Sequence, residues 1–311
     1  MSDIVKLLFE ILISFSFLSL ATMGIVLIFK TSSTTNFAQG MLGILGAYLT
    51  SYLIDPIGIN KYTQLPTSYP SSLLHLVLAV LGGMLLSFIV GLFIDSVVFR
   101  FSKYTNAATK QIITMGIVII LTGAIPLAFG ETVFRASFQF SNKTLQILGS
   151  TYTIHRVVTL LLAATIISSI FILLKYTKWG LGVRSVASNE KIASLMGVNP
   201  FVINGSSWAI AGALGALSAI TYTAATNVLN VAAMTNMQID AFYSGILGGF
   251  STFAGPIFGA FILTFGKVII PRFLVRYNLA TLSNTILYFL IIFIVLIKPN
   301  GVFGKKTVKK V

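Results

Sequence analysis

Carboxylates inside apolar stretches carry the strongest chemical constraint in this chain. Three of them, Glu10, Asp95 and Asp240, fall within long apolar runs. Placing a charge at the centre of a bilayer costs at least about 3 kcal/mol, so such side chains must face protein or water. Glu10 and Asp95 lie near the ends of their runs, and Arg100 is close enough in sequence to pair with Asp95. Asp240 opens a glycine-broken run, where it either caps a helix N-terminus or lines a polar pathway.

Groups that perform covalent catalysis are scarce. The chain has no Cys and only two His residues, His75 and His155, which excludes Cys nucleophiles, disulfide scaffolds and Cys-based zinc sites. No G-x-x-x-x-G-K-[ST] phosphate loop occurs, and no Ser-His constellation or cluster of carboxylates offers acid-base chemistry. The sequence therefore predicts a protein that is not an enzyme and needs no metal or cofactor, with any linked ATP hydrolysis residing in other subunits.

The composition indicates that membrane helices must position these few polar groups. Hydrophobic residues make up 56% of the 311 residues and charged residues 9%, and the mean hydropathy is +0.94. An ordinary soluble domain is about a quarter charged. The net charge of +14 comes mostly from Lys and Arg in short loops, a pattern that indicates membrane topology rather than nucleic-acid binding.

Seven apolar stretches are long enough to cross a bilayer core of about 30 Å. They are residues 7–29, 37–54, 73–99, 111–129, 157–174, 203–225 and 279–297. An eighth, 240–270, is interrupted by Gly248, Gly249, Gly255 and Pro256 and need not be one straight helix. The sequence predicts a single all-α, multi-pass membrane domain over 1–311, with about eight membrane segments, at least one of them broken or re-entrant.

The distribution of cations predicts an outside N-terminus and a cytoplasmic C-terminus. The loops after the first, third and fifth spans then lie inside, with Lys30, Arg100, Lys103, Lys110, Lys175, Lys178, Arg184 and Lys191. Five tail cations also favour the inside: Lys298, Lys305, Lys306, Lys309 and Lys310. Residues 240–270 must then re-enter or cross twice, leaving Lys267, Arg272 and Arg276 outside. The competing topology places those three inside and the tail outside.

The longest organised polar interruption is residues 176–200. It predicts a short amphipathic cytoplasmic helix from about Ser185 to Met196, stopped by Gly197 and Pro200. A helix lying in the lipid interface needs a broad face of bulky apolar residues. This segment instead offers small residues beside two charges, namely Ala187, Ser188, Ala193 and Ser194 with Glu190 and Lys191. The pattern favours docking into a groove of a partner protein.

The same segment resembles a known family. Its run Gly180-x3-Arg184-x2-Ala187-x2-Glu190-x2-Ala193-x3-Gly197 is similar to the ATPase-coupling loop of importer-type ABC permeases of the branched-chain amino-acid family. Further matching segments are Asn36-Phe-Ala-Gln-Gly40, Gly46-Ala-Tyr48, Val98-Phe-Arg100, Thr114-Met-Gly116, Leu247-Gly-Gly249 and Lys298-Pro-Asn-Gly-Val-Phe-Gly304. The resemblance extends from about residue 8 to 304 and is closest to the shorter first-permease type. The chain departs from the family pattern at Met41, Phe101 and Phe250 to Gly255, which leaves the transported solute open.

The resemblance implies the permease subunit of a heteromeric, ATP-driven importer in the cell membrane. The expected partners are two cytoplasmic ATP-binding subunits, a second related permease, an external solute-binding protein and membrane lipid. The implied solutes are branched-chain amino acids or related small polar molecules, and one branch of the family carries urea and short amides. An ion-driven secondary transporter remains an alternative, although it would usually carry more intramembrane charges.

Two glycine-rich segments with polar beginnings are candidates for the solute path. They contain Asn36, Gln39 and Gly40 in the first segment and Asp240, Ser244, Gly248, Gly249 and Ser251 in the second. Duplicated, glycine-broken membrane segments point to the pathway of repeat-built transporters. The alternative is that these glycines only allow close helix packing.

Overall fold

A computed structural model describes residues 2–57, 66, 68–102, 106–130, 138–141, 143–147 and 150–304. The α-helices are α1 (Ser2–Ser32), α2 (Gln39–Ile54), α3 (Leu73–Phe93), α4 (Ala107–Phe129), α5 (Ile154–Tyr176), α6 (Lys178–Ser188), α7 (Glu190–Leu195), α8 (Pro200–Thr226), α9 (Thr235–Gly248), α10 (Gly255–Val275) and α11 (Ser283–Ile297). A π-helix, Ile94–Phe99, extends α3, and a 3-10 turn, Ala280–Leu282, precedes α11. Strands β1 (Thr144–Ile147) and β2 (Ser150–Thr153) form an antiparallel hairpin in which Leu145 pairs with Tyr152.

The membrane-spanning helices largely follow the predicted apolar runs. Within the described ranges, seven helices are long and apolar enough to cross a bilayer, which confirms the all-α multi-pass class. Six coincide with predicted spans, and the seventh is α10 from the broken region. The predicted span 37–54 became α2, whose 16 residues reach about 24 Å and do not cross the core alone.

Helices α1 and α8 form the centre of the bundle. Their apolar windows are 83% and 72% buried, whereas those of the other long helices are 11–33% buried and leave most of their surface for lipid or partners. Small residues bring α2, α3 and α8 together: a side chain at Gly46 would collide with Ala216 of α8 and Gly83 of α3. Such close approach is how membrane helices associate without a hydrophobic driving force.

Short α2 is possible because the chain before it is buried in protein. Thr34 and Asn36 are fully buried, although residues 34–36 are not helical. Irregular backbone at membrane depth is tolerated where protein groups satisfy it. Here the Asn36 carboxamide accepts the Ala38 N–H at 2.9 Å, which replaces a missing helical partner at the start of α2.

The predicted interruption near Gly248 is confirmed. Helix α9 ends at Gly248, and α10 begins at Gly255 with Pro256 in its first turn, where the missing proline N–H costs nothing. The two helices pack against each other as a hairpin, and α10 then runs back along α1.

The bundle has two ends, which we name after residues of α1. At the Glu10 end, Phe9 stacks on Tyr152 of β2 at 4.7 Å and Glu10 contacts Arg272 of α10. At the Lys30 end, the indole of Trp208 donates to Ser32 at 3.2 Å and packs on Phe99. Trp179, just after α5, donates to Ser206 of α8 at 2.8 Å, so the ends of α1, of the π-helix and of α5 all lie at the Lys30 end. Lys103, Lys305, Lys306, Lys309 and Lys310 lie outside the described residues.

Candidate functional site

A cavity lined by charges of both signs lies at the Glu10 end and has a volume of about 470 Å³. We call it the Asp240 cavity. It is lined by Glu10, Ile13, Ser14, Phe17, Leu18, Arg156, Tyr222, Ala225, Thr226, Asn236, Met237, Asp240, Thr264, Lys267 and Val268. Five helices contribute, so the cavity is a product of the tertiary fold and combines apolar walls with charges of both signs.

Asp240 is the most enclosed charged group of this cavity, with 5% of its surface exposed. The Lys267 ammonium of α10 forms an ion pair with its Oδ2, and the Tyr288 hydroxyl of α11 donates to its Oδ1 at 2.8 Å. Lys267 Nζ also lies 5.9 Å from the centre of the Tyr288 ring. The interpretation of Asp240 as a helix cap is wrong, because Asp240 is the sixth residue of α9. A buried carboxylate needs such partners, and one lysine and one phenol supply them.

The other two carboxylates of the apolar runs, Glu10 and Asp95, have different surroundings. Glu10 pairs with Arg272 of α10 at 2.5 Å, and both side chains are about half exposed. This contact joins the N-terminal part of α1 to the end of α10, so Glu10 has a partner in addition to its position near a helix end. The possible Asp95–Arg100 pair does not form: the ion pairs found in the described part of the chain are those of Asp240 and Glu10.

Several residues of the cavity, and Tyr288, which donates to Asp240, were not predicted as site residues. Arg156, Tyr222 and Tyr288 carry no recognisable motif, and Lys267 entered only as a topology marker. Lys267 had a usable signal, since a lysine inside an apolar span is costly without a partner. Its partner lies 27 positions away in sequence, and no helical periodicity links the two residues. Among the described residues, no three His, Asp or Glu side chains come together as a metal site would require.

The residues of the first predicted path segment make hydrogen bonds to other protein groups. Asn36 Nδ2 donates to Gln39 Oε1 at 3.2 Å, and Gln39 Nε2 donates to the Ala211 carbonyl of α8 at 2.7 Å. The Gly40 N–H donates to Gln238 Oε1 of α9 at 2.7 Å. These polar groups are occupied by protein partners. The two glycine-rich segments, which are similar in sequence, differ in structure: the Asn36 segment precedes and starts α2, whereas Asp240 lies inside α9.

The second predicted path segment divides between packing and a second cavity. The Ser244 hydroxyl is fully buried and donates to the Asp240 carbonyl at 2.7 Å. Gly248 lies against Gly255, with no room for a side chain. Gly249 and Ser251 border a cavity of about 520 Å³ at the Lys30 end, which we call the Lys30 cavity. It is lined by Phe29, Lys30, Ser33, Ala187, Ile246, Gly249, Phe250, Ser251, Pro299 and Asn300.

The C-terminal segment 298–304 closes over the turn between α9 and α10. The Val302 N–H donates to the Leu247 carbonyl at 2.7 Å, and the Phe303 N–H donates to that of Gly248 at 3.3 Å. On the other side of the turn, Lys30 Nζ donates to the Ser251 carbonyl at 2.9 Å. The turn is therefore held by α1 and by segment 298–304.

The predicted coupling helix is two helices. Asn189 is extended, with φ −161°, and separates α6 from α7, so the expected continuous helix from Ser185 to Met196 is wrong. The Asn189 side chain accepts the Ile192 N–H at 3.1 Å and caps α7. The break turns α7 relative to α6 because an extended residue cannot continue a helix.

Two of the predicted coupling residues have clear local roles. Gly180 packs against the carbonyl oxygens of Leu173 and Leu174 at the end of α5, where a side chain would collide with backbone. Arg184 donates from Nη2 to the Lys175 carbonyl at 3.4 Å and from Nε to that of Gly180 at 3.3 Å. Arg184 thus satisfies a carbonyl left open at the end of α5, as cations often do at helix C-termini.

The exposed surface of α7 and of Met196, which follows it, differs in part from the expected small face: Ser194 is exposed, but Ala193 is not. Ala193 is 3% exposed and packs toward the bundle, whereas Leu195 and Met196 are 86% and 80% exposed. Gly197, with φ +86°, ends the helix: its N–H donates to the Ser194 carbonyl, and the next N–H donates to that of Ala193. This is a Schellman motif, as the predicted stop at Gly197 requires. Ala187 is half-buried at the Lys30 cavity, and Glu190 is exposed.

Comparisons with other proteins agree on one family. The family model described as a branched-chain amino acid transport system permease component matches residues 7–296. The probable branched-chain amino acid transport permease protein LivH of Methanocaldococcus jannaschii is 26% identical, over 92% of this chain and 88% of the relative. The high-affinity branched-chain amino acid transport system permease proteins LivH of Salmonella typhimurium and BraD of Pseudomonas aeruginosa are 22% and 21% identical, over 94% of this chain and 93% of each relative. No solved structure gives a significant match.

The matched region covers all or most of every membrane helix described above, the whole lining of the Asp240 cavity, and helices α6 and α7. Pro299 and Asn300 of the Lys30 cavity lie just beyond it. The match therefore extends over nearly the whole helical bundle. The chain belongs to the family of permease components of branched-chain amino acid transport systems, and it is a membrane-spanning transport subunit.

Proposed function

We propose that this chain is one of two related permeases in an ATP-driven importer of branched-chain amino acids or chemically similar small solutes. Two cytoplasmic ATP-binding subunits bind the Lys30 end, and an external solute-binding protein delivers solute at the Glu10 end. The N-terminus is outside and the C-terminus is cytoplasmic. The relatives' names support the solute class, and the family resemblance of residues 180–197 supports the coupling role.

The exposed surface of α7 is the observation that carries the ATPase contact. Leu195 and Met196 extend beyond the bundle at the Lys30 end, next to the exposed charges Glu190 and Lys191. Large apolar side chains rimmed by charge are typical of a protein interface. Ala193 contributes by packing α7 onto the bundle, so it positions the contact without forming it. Gly180 and Arg184 fix α6 against α5, which makes the segment a rigid extension of the membrane helices.

The charge distribution supports the orientation. Lys30, Lys175, Lys178 and Arg184 all lie near the Lys30 end, where the resemblance places the ATPases. Cytoplasmic loops carry an excess of Lys and Arg. Lys267 and Arg272 at the opposite end are paired with Asp240 and Glu10, so they count less than unpaired loop cations as evidence that this end is cytoplasmic.

A leucine-to-alanine pair of variants tests the ATPase contact. Leu195→Ala removes apolar surface at the proposed interface, and Leu127→Ala removes the same surface from α4, where Leu127 is 83% exposed. We expect Leu195→Ala to lower the ATP hydrolysis that accompanies uptake by about tenfold, the loss typical of one interface anchor, while membrane insertion stays normal. Leu127→Ala should leave the hydrolysis rate close to that of the wild type.

Two results would contradict the proposal. Equal effects of the two variants would assign Leu195 to the lipid interface. Uptake of leucine that persists without ATP-binding subunits, and follows an ion gradient, would instead favour a secondary transporter. Uptake of a neutral amide but not of leucine by the intact complex would favour the urea and short-amide branch.

A further inference from the structure

The Asp240 cavity has an unusual charge arrangement for a space between membrane helices. It contains carboxylates from α1 and α9 and cations from α5 and α10, yet its walls also include buried Ile13, Leu18 and Met237. A purely structural ion pair would be enclosed by close packing. Here the pair borders about 470 Å³ of open space, within the range of roughly 300 to 1,000 Å³ that is typical of small-molecule sites.

The partners of each charge determine which ligand fits. Glu10 is engaged by Arg272, which does not line the cavity, and Asp240 is engaged by Lys267. Arg156 lines the cavity and takes part in neither ion pair of the described residues. Asp240, Lys267 and Arg156 are therefore the charged cavity residues with no ion-pair partner outside the cavity lining. A simple anion would bind the cations but would leave the buried Asp240 carboxylate without its ion-pair partner Lys267. A simple cation would displace Lys267 from Asp240 and would leave the Lys267 ammonium without a counterion.

We propose that the Asp240 cavity is a binding site for the transported solute as a zwitterion, with its ammonium group at Asp240 and its carboxylate at Lys267 and Arg156. The zwitterion exchanges one ion pair for two and leaves the net charge of the cavity unchanged. The Tyr288 hydroxyl, 2.8 Å from Asp240 Oδ1, holds the carboxylate in place when Lys267 turns to the solute. Ile13, Leu18 and Met237 then face the aliphatic part of the solute.

This site rests on the proposed function for the identity of the solute, and most of the polar groups first predicted for the path lie outside it. Asn36, Gln39 and Ser244 each donate to a protein acceptor, and none of them lines this cavity. Asp240 alone of the predicted path residues borders this cavity. The site also explains why Asp240, Lys267 and Tyr288 come from three consecutive helices: movement of α9 against α10 and α11 would separate the pair and alter the affinity of the site.

The test compares single and double neutral variants in the complete transport complex. Asp240→Asn or Lys267→Gln alone leaves one buried charge without its partner, and both assembly and leucine uptake should fall, uptake by at least about tenfold. The double variant Asp240→Asn, Lys267→Gln removes both charges at nearly constant volume and should restore the amount of assembled complex. Leucine uptake should remain at least about tenfold below the wild type, because the double variant binds neither end of the zwitterion.

A matched control and a direct binding measurement complete the test. Arg276→Gln removes a cation from the end of α10, outside the cavity lining, and should leave uptake nearly unchanged. Because the chain has no Cys, Ser14→Cys places a single thiol in the cavity. Leucine should slow the reaction of this thiol with a small methanethiosulfonate reagent. Isovaleramide, with a similar carbon skeleton and no charges, should protect much less.

Restored leucine uptake in the double variant would overturn the proposal and make the pair purely structural. Equal protection of the Ser14→Cys thiol by leucine and isovaleramide would overturn it as well. Failure of the proposed function is distinguishable from these results, because the wild-type complex itself would then take up no leucine.

Discussion

Gly249 is the position where a single methyl group should distinguish packing from a solute path. Its φ of +89° and ψ of 117° belong to a region of backbone conformation that side chains rarely adopt. A Cβ there would also collide with the Asn300 carbonyl and lie 3.0 Å from the Cα of Gly304. The substitution Gly249→Ala therefore forces both a strained backbone and a displacement of segment 298–304.

The two costs can be estimated separately. Holding a residue other than glycine in this conformation costs about 1 to 3 kcal/mol. Forcing extra volume into a packed contact typically costs about 1 to 3 kcal/mol more. Together they predict that Gly249→Ala lowers the free energy of unfolding by about 2 to 6 kcal/mol. Gly116→Ala in α4 is the matched control: no atom lies within 4 Å of a Cβ at that position. Because alanine favours a helix, this control should be neutral or more stable by up to about 1 kcal/mol.

The assay is reversible unfolding of the purified protein in mixed micelles of a mild detergent and dodecyl sulfate, followed by circular dichroism. The amount of assembled complex should fall in parallel with the stability of Gly249→Ala. The reasoning fails if Gly249→Ala and Gly116→Ala unfold at the same dodecyl sulfate fraction. Lost uptake with unchanged stability would instead return Gly249 to the solute path.

Two further outcomes follow from the local structure. Gly197→Ala should lower the free energy of unfolding by only about 1 kcal/mol, because its Cβ would meet open space and the positive φ is the sole cost. A loss as large as that of Gly249→Ala, measured in the same micelles, would mean that Gly197 has contacts beyond its own turn. Single cysteines in this cysteine-free chain should react with an impermeant maleimide from the cytoplasmic side when placed at Val308 and from the outside when placed at Asn236. The opposite labelling pattern would reverse the proposed topology.

The spans and their interruptions were predictable because they depend on local properties. A membrane helix satisfies its backbone polar groups within its own segment, so length and hydropathy are sufficient to locate it. The break between Gly248 and Pro256 and the stop at Gly197 follow similarly from residues that tolerate or require particular backbone angles. The length of α2 was not predictable from local evidence. Residues 37–54 are apolar enough to span a bilayer, but the chain just before Gln39 is buried as irregular backbone, and Asn36 accepts a hydrogen bond at the start of α2.

The orientation of side chains around α7 was not predictable from small-residue spacing alone. We expected one continuous helix with a surface of small residues that included Ala187 and Ala193, but the extended residue Asn189 separates α6 from α7. Ala193 then faces the bundle, and Leu195 and Met196 face outward. Whether a face is buried depends on what lies opposite it, and the sequence of the helix does not specify that.

The sequence by itself determined the class of protein, the membrane helices, the glycine-marked breaks and the family resemblance, because each is encoded in contiguous composition or in residues at fixed short spacing. Only the tertiary structure decided which polar groups meet. It pairs Asp240 with Lys267 and Tyr288, 27 and 48 positions away, and uses Asn36 and Gln39 for packing. In the membrane interior each buried charge must find a partner, but the partner is selected by how helices pack, and that arrangement leaves no periodic trace in the chain.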